Sequence, residues 1–358
     1  MADEEKYRRD IAEGLKKAFE ASKSSSEDVE LGALRWIVFS DLHKGSRDGA
    51  DDFRRCERAY NAALAYYLDR EYTLAVLGDV EELWECSPRE VLPQYARTLG
   101  LEKAFHTQGR YRRFWGNHDD LWRHPKEVSK HLDFPGIVVR EGLRLRVRYR
   151  DGAPPGLIFL AHGHQGTAES DRFGAISRLF VRYVWRPLQR RLNLPSTTPS
   201  QDWELRQRHE VAMHAWAAAH PEHPVLITGH THRPVFGDSV APPKTARDRA
   251  EVQRELEAVL ATQPVDRERA AMLRAEDEFI VAEERRVDAP APIDQRCFFN
   301  TGCCSYGDGD ITGLELADED IRLVRWSCKE GRPERRELAR DSLADVLAAA
   351  ARGGSDPP

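Results

Sequence analysis

Five short fragments hold the residues of this chain whose types and spacing could do chemistry: Asp41-Leu42-His43, Gly78-Asp79, Gly116-Asn117-His118-Asp119, His162-Gly163-His164 and Gly229-His230-Thr231-His232. Carboxylate, amide oxygen and imidazole are the donors that hard and borderline divalent cations take. Asp41, His43, Asp79, Asn117, His162, His230 and His232 are together enough for two such ions. A lone strand-end Asp is ordinarily a turn residue, and a lone His is ordinarily satisfied by a hydrogen bond. The force of the pattern is joint: all five fragments occur in one chain, each at the end of an apolar run. Two ions about 3.5–4 Å apart clamp a phosphate, and coordination lowers the pKa of a water to about 7, giving a hydroxide that attacks in line. The chemistry implied is metal-dependent hydrolysis of a phosphate ester.

Each fragment must be delivered by the element before it. LRWIVFS (34–40), TLAVLG (73–78) and YRRFWGN (111–117) read as strands, and GLIFLAH (156–162) and PVLITGH (224–230) are continuous apolar runs that suit buried strands. RLRVRY (144–149) alternates with period two, as a half-exposed strand does. Residues 52–69 have helical periodicity, with Phe53, Cys56, Tyr60, Leu64 and Tyr67 on one face. In such α/β arrangements functional groups gather on loops at the carboxyl ends of strands, which is where all five fragments fall. Beyond residue 296, CFFNTG, ITGLELA and IRLVRW read as three short strands, and 333–351 as a helix. Ahead of the first strand, residues 5–22 read as a charged helix and Ser22–Ser26 as a linker, with the core starting at Leu34. The expected organisation is an N-terminal helix and linker (1–30), a main domain (31–330) and a C-terminal helix and tail (331–358). Two insertions interrupt the main domain, an Arg-rich one at 172–216 and a charge-balanced one at 237–295, which Pro264 splits into a helical hairpin.

The order D-x-H, G-D, G-N-H-D, H and G-H-x-H resembles the calcineurin-like metallophosphoesterase superfamily over residues 34–327, apart from the two insertions. That resemblance implies a four-layer αββα sandwich with a dimetal site at one edge. It makes Asp41, His43 and His232 ligands of one metal, Asn117, His162 and His230 ligands of the other, and Asp79 the bridging carboxylate. Mn²⁺ is the first expectation for both ions, and Fe, Zn, Co and Ni accept the same donors. His164 matches no ligand position. His118 is the candidate for protonating the leaving group. Asp119 either orients that imidazole or caps the next helix. In layout the chain is most similar to the UDP-2,3-diacylglucosamine pyrophosphatase branch, through GDVEELWE, GHTHRP and a basic helical lid after the fourth fragment. It departs from that branch in His118, where an Arg is typical, in the 237–295 insertion and in the N-terminal helix.

Arg178, Arg182, Arg186 and Arg190 recur every four residues, with Ile176, Leu179, Phe180, Tyr183, Val184 and Leu188 on the adjoining face. Like charges four apart repel. The stripe therefore either meets an anionic partner, with Arg178 and Arg182 binding substrate, or packs as an amphipathic helix whose heads are solvated or paired. The formal net charge of −6 counts against a chain that binds nucleic acid through its whole surface. A phosphorylated small molecule or lipid-linked substrate is the first expectation, with peripheral membrane contact through the lid. A protein phosphatase, a nuclease or nucleic-acid phosphatase, and a nucleotide-sugar lipid pyrophosphatase are the alternatives. With 41% hydrophobic and 32% charged residues, no apolar run long enough to span a membrane and no apolar stretch of a signal peptide, the expected location is the cytoplasm. The six cysteines lack metal-site spacing and read as buried, reduced thiols.

Overall fold

The computed structural model describes residues 2–49, 51–166, 199–237, 239–240, 253–254, 256–261, 296–329 and 331–352. Two compact units divide the chain: Met1–Phe236 with Gln295–Pro358, and Gly237–Asp294. In the second unit the described residues form the short strand β10 (Ser239–Val240) and helical turns at 253–254 and 256–260. The expected hairpin, the Arg stripe, and with it Arg178 and Arg182, lie outside the described residues.

The first unit is built on two mixed sheets. One contains β2 (Arg35–Phe39), β3 (Thr73–Leu77), β4 (Tyr111–Phe114), β5 (Val139–Arg140), β12 (Ile311–Ala317), β13 (Asp320–Lys329) and β14 (Arg332–Ser342), in the order β14-β13-β12-β2-β3-β4-β5. β2 through β5 run parallel, and β12, β13 and β14 continue the sheet antiparallel. The other contains β1 (Glu27–Glu30), β6 (Gly142–Arg148), β7 (Gly156–Ala161), β8 (Val225–Thr228), β9 (Pro234–Phe236) and β11 (Phe298–Thr301), in the order β1-β6-β7-β8-β11-β9. Helices α2 (Phe53–Asp69) and α4 (Ala96–Thr107) cover the first sheet. The α2 face foreseen from periodicity is the buried one, and it packs on Ile37, Phe39, Leu74 and Val76. Helices α1 (Ala2–Ala21) and α6 (Pro199–Ala219) cover the second sheet, where Phe19 meets Phe159 at 5.0 Å and Trp216 at 5.7 Å. The short helices α3 (Pro88–Val91) and α5 (Pro125–His131) and the C-terminal α7 (Leu343–Ala351) complete the unit. This is the α/β sandwich of two sheets faced by helices that the family resemblance implied.

Four local expectations fail, each because a distant segment intervenes. The core does not begin at Leu34: Ile11, Leu15, Ala18 and Phe19 of α1 are fully buried. The Ser-rich stretch is a turn of 3₁₀ helix leading into β1, which pairs in parallel with β6. The expected half-exposure of β6 fails at Arg144, which is 5% exposed because α1 lies across it. Its guanidinium stacks on the Phe19 ring and donates to the Phe19 carbonyl at 2.9 Å. Residues 333–342, read as the first part of a helix, lie instead in β14, paired along its length with β13; only 343–351 of that stretch is helical. Five of the cysteines are buried and none is in a disulfide. Among the described residues no helix is long and apolar enough to cross a membrane.

His220, at the end of α6, packs against Phe19 at 4.3 Å and accepts a hydrogen bond on Nδ1 from the Glu222 amide. Partial burial, aided by the Arg144 charge, holds it below its ordinary range against the pull of Glu222. The unfolded chain then takes up this proton first as pH falls below 6.5, so stability is complete above that value and declines on the acid side. His220→Gln is expected to flatten the fall of the urea midpoint as pH drops below 6.5. An unchanged slope would assign the acid sensitivity elsewhere.

Candidate metal centre

The two sheets feed one site from their carboxyl ends. Asp41 follows β2, Asp79 follows β3, Asn117 follows β4, His162 follows β7, and His230 and His232 follow β8. The loops after β2 and β3 run on in register beyond their strands: Asp41 N–H donates to Gly78 O, His43 N–H to Asp79 O and Lys44 N–H to Val80 O, at 2.9–3.2 Å. Of the ten non-glycine residues with positive φ among those described, five are Asp41, His43, Asp79, His230 and His232. Such conformations cost of order 1–3 kcal/mol each and persist where surrounding structure enforces them, typically at functional sites. Gly116 is needed for close approach, since a Cβ there would stand 2.2 Å from Asp79 Oδ1.

Among the described residues, three groups of side chains gather ligand atoms closely enough to hold a metal ion: Asp41 with His43 and His232, Asp79 with His162 and His230, and His43 with Glu82 and His118. Their hydrogen bonds leave acceptor atoms pointing inward. Asp41 Oδ2 is held by the Ser40 hydroxyl and by the His230 amide at 2.9 Å, while Oδ1 is buried and meets no aligned donor. That oxygen lies 3.2 Å from His232 Nε2. His43 Nδ1 pairs with Glu82 at 3.0 Å, which turns Nε2 to within 3.1 Å of His232 Nε2. His162 Nδ1 pairs with the Leu77 carbonyl at 2.5 Å, which turns Nε2 to 3.1 Å from Asp79 Oδ2 and 3.2 Å from Asn117 Oδ1. A histidine fixed on one ring nitrogen by a carboxylate or carbonyl presents the other as a ligand. An oriented carboxylate oxygen without a donor, facing imidazole nitrogens, fits a divalent cation.

Charge in the site follows from these contacts. Burial alone would raise the Asp79 carboxyl, but the facing imidazoles of His162, His118 and His43 hold it well below the ordinary range. Burial would lower His162, yet Asp79 and Asp41 overcome it and raise the ring to about 9. His230 is driven well below its usual value by burial and by the neighbouring His209 and His162.

The expected pairing of Asp119 with His118 is not made. Asp119 is fully buried and accepts from the backbone amides of Gly116 (2.6 Å), Val80 (2.9 Å) and Asp79 (3.2 Å). It therefore ties the loop after β4 to the loop after β3, and it makes no capping bond to the helical turn that follows. Burial and the Asp79 charge raise its carboxyl to about 7. The imidazole of His118 meets Glu82 instead, with Nδ1 2.8 Å from Oε2 and 2.9 Å from Oε1. Glu82 thus sits between His43 and His118. Burial opposes its ionisation, but those two rings hold it down at about 2, an anion at any working pH. Trp84 stacks on His118 with centroids 4.2 Å apart, and its indole N–H donates to the Asn117 carbonyl at 2.6 Å.

Glu82 and Trp84 both lie in GDVEELWE, a stretch in which only Asp79 was expected to serve the site. An acid three residues past Asp79 was the available signal, but Glu81 stands beside it and points elsewhere, to Arg113 and Trp122. His164 is 3% exposed, packs against Trp115 and His162, and joins none of the three groups. Burial and His162 push it down to about 3, so it stays neutral. Glu210 on α6 was also missed. It accepts from Thr231 Oγ1 at 2.8 Å and from Arg233, pinning the loop that carries His230 and His232.

A comparison with solved structures finds a likeness to Vacuolar Protein Sorting 29 from Cryptosporidium parvum, at 14% identity over 86% of this chain and 98% of that one, with a TM-score of 0.34. Backbones at that score do not superpose well enough to tie this chain to that protein's role. No family model matches the chain, and no curated protein matches it either.

Proposed function

We propose that the chain is a dimetal-dependent phosphoesterase. The observation that carries this reading is the position of Asp79: its Oδ2 lies 3.1 Å from His162 Nε2 and 3.8 Å from His43 Nε2, between two groups that could each hold an ion. Asp41, His43 and His232 would hold one ion, and Asn117, His162 and His230 the other, with Asp79 shared. A carboxylate can serve both sides because it has two oxygens and a full charge, which an imidazole lacks. Bound divalent ions would polarise the phosphate and supply a nucleophile from water near neutral pH. The protein's own share is positional. Glu82 fixes the tautomer and direction of both His43 and His118. With His118 held through Nδ1, Nε2 is the nitrogen that would pass a proton to the departing oxygen. Trp84 stacked on the same ring limits its rotation. Arg206, one turn before Glu210 on α6, bears electrostatically on Glu210 and His232 and adds positive charge near the site.

Chain incubated with Mn²⁺ is expected to hydrolyse a chromogenic phosphate mono- or diester and to lose that activity on chelation. His118→Ala should lower kcat by about 10²–10⁴, the range of a general acid, with metal content unchanged. Loss of metal from that variant would make His118 a ligand instead. A panel of monoesters, diesters, nucleotide-sugar pyrophosphates, phosphopeptides and nucleic acids separates the substrate classes. The nucleotide-sugar arm tests the branch that the motif layout resembles. Binding that collapses as salt rises would favour the nucleic-acid arm. Wild type that takes up no metal would end the proposal.

A further inference from the structure

Helix α1 lies directly on the loop that follows His162. A Cβ at Gly14 would stand 2.4 Å from Gly166 N, and a Cβ at Gly166 would stand 2.1 Å from the Asp10 carbonyl. Only two glycines allow the helix backbone and the loop backbone to come this close. One turn and more before that contact, Tyr7 reaches α6, where its hydroxyl lies 2.9 Å from His209 Nδ1. His209 Nε2 lies 2.6 Å from the Gly163 carbonyl. A carbonyl can only accept, so Nε2 carries the proton, Nδ1 is the acceptor, and Tyr7 is the donor. His209 is 3% exposed, and its ring sits edge-on to His230 at 5.1 Å. The same side chain thus touches the peptide after His162 and the ring of His230. Both imidazoles belong to the group built on Asp79, whereas Asp41, His43 and His232 form a separate group.

We infer that Tyr7 and His209 are positioning residues for one ion of the pair: α1, acting through Tyr7 and His209, sets the direction in which His162 and His230 present their ring nitrogens. The inference rests on the proposed metal-binding function and adds an asymmetry that the function alone does not require. Side chains that orient ligands in this way are ordinarily worth about 10–100-fold in metal affinity. Here the effect falls on the Asp79–His162–His230 side and spares the other. The helix that begins this chain then contributes to the site as well as to the fold.

The test is a Mn²⁺ titration of metal-free, full-length protein against a chelating fluorophore, fitted to two dissociation constants. Tyr7→Phe is expected to weaken one constant by about tenfold and leave the other within about twofold. His209→Leu, which removes both hydrogen bonds, should weaken the same constant further. His209→Gln, which can still donate to Gly163, should fall between them. Phe19→Leu is the control, since it loosens the same helix at a point that touches neither loop. It should lower the melting temperature at least as much as Tyr7→Phe while leaving both constants unchanged. The inference is overturned if Tyr7→Phe and His209→Leu bind both ions as wild type does. It is equally overturned if Phe19→Leu shifts the constants as they do, because α1 would then act only through overall stability. Wild type that binds no Mn²⁺ is a different result and removes the proposed function itself.

Discussion

Asp79→Asn is expected to cut phosphoester hydrolysis on the order of a thousandfold or more, about the several kcal/mol of transition-state stabilisation that a metal pair supplies. The chain should stay folded. Asp79 is 1% exposed, and its Oδ1 accepts from the His118 amide at 2.8 Å, a bond that an asparagine oxygen can keep. The substitution changes the other end. An amide N–H₂ would replace Oδ2, placing two donors where a charged acceptor now faces His162 at 3.1 Å and His43 at 3.8 Å. In the proposed arrangement Asp79 serves both ions, so both should bind more weakly once its charge is removed. Asp119, raised to about 7 partly by the Asp79 charge, should ionise more easily in the variant. Bound metal measured by elemental analysis after gel filtration, alongside the hydrolysis rate, decides the matter. A variant that retains two tightly bound ions and activity within about tenfold of wild type would show that Asp79 does not bridge them.

Arg113→Leu is expected to cost about 3–5 kcal/mol of stability, the range for breaking a buried ion pair by removing one partner. Arg113, Lys44, Glu81 and Glu102 are all fully buried. Arg113 pairs with Glu81 and lies 3.6 Å from Glu102, while Lys44 Nζ donates to Glu102 at 2.6 Å. Two cations and two anions balance. Trp122 donates to Glu81 at 2.9 Å and Tyr111 to Glu102 at 3.1 Å, which satisfies further oxygens. Removing Arg113 leaves two buried carboxylates and one ammonium. The effect should also reach the site, since Lys44 adjoins His43 and Glu81 adjoins Glu82. Urea unfolding followed by circular dichroism measures the loss. Adding Glu81→Gln to Arg113→Leu should recover part of it, because the uncompensated charge is gone. A single-variant loss below about 1 kcal/mol would mean the four charges are not coupled as their distances imply.

How much was legible in advance follows from where the information sits along the chain. The strands that end in Asp41, Asp79, His162 and His230 are short apolar runs, and the α2 face repeats with helical period. Both signals lie within a few residues of each other. Arg113 is the opposite case. In YRRFWGN nothing sets it apart from Arg112, because the groups that accept it, Glu81 and Glu102, come from other elements. β14 failed for a related reason. RPERRELARDS is rich in helix formers and has no apolar alternation, so propensity favours a helix. The ladder with β13 overrides that preference. As the last strand of its sheet, β14 places Arg and Glu along an edge, where charges discourage pairing with another chain.

Which residue types stand at the strand ends, and with them the chemistry proposed here, could be read from the residues alone, because donor type and strand position are both local properties. Tertiary structure alone decided what each acid does. Glu81, Glu82 and Asp119 have nearly the same local signature. Yet one joins a buried charge quartet, one holds two histidines, and one binds three backbone amides. The difference arises from which loops lie against one another once the two sheets pack, and a carboxylate takes whichever donors that packing brings to it. The same holds for α1: its charged surface suggested a separate helix, and only the packed structure brings Gly14 against Gly166 and Tyr7 to His209.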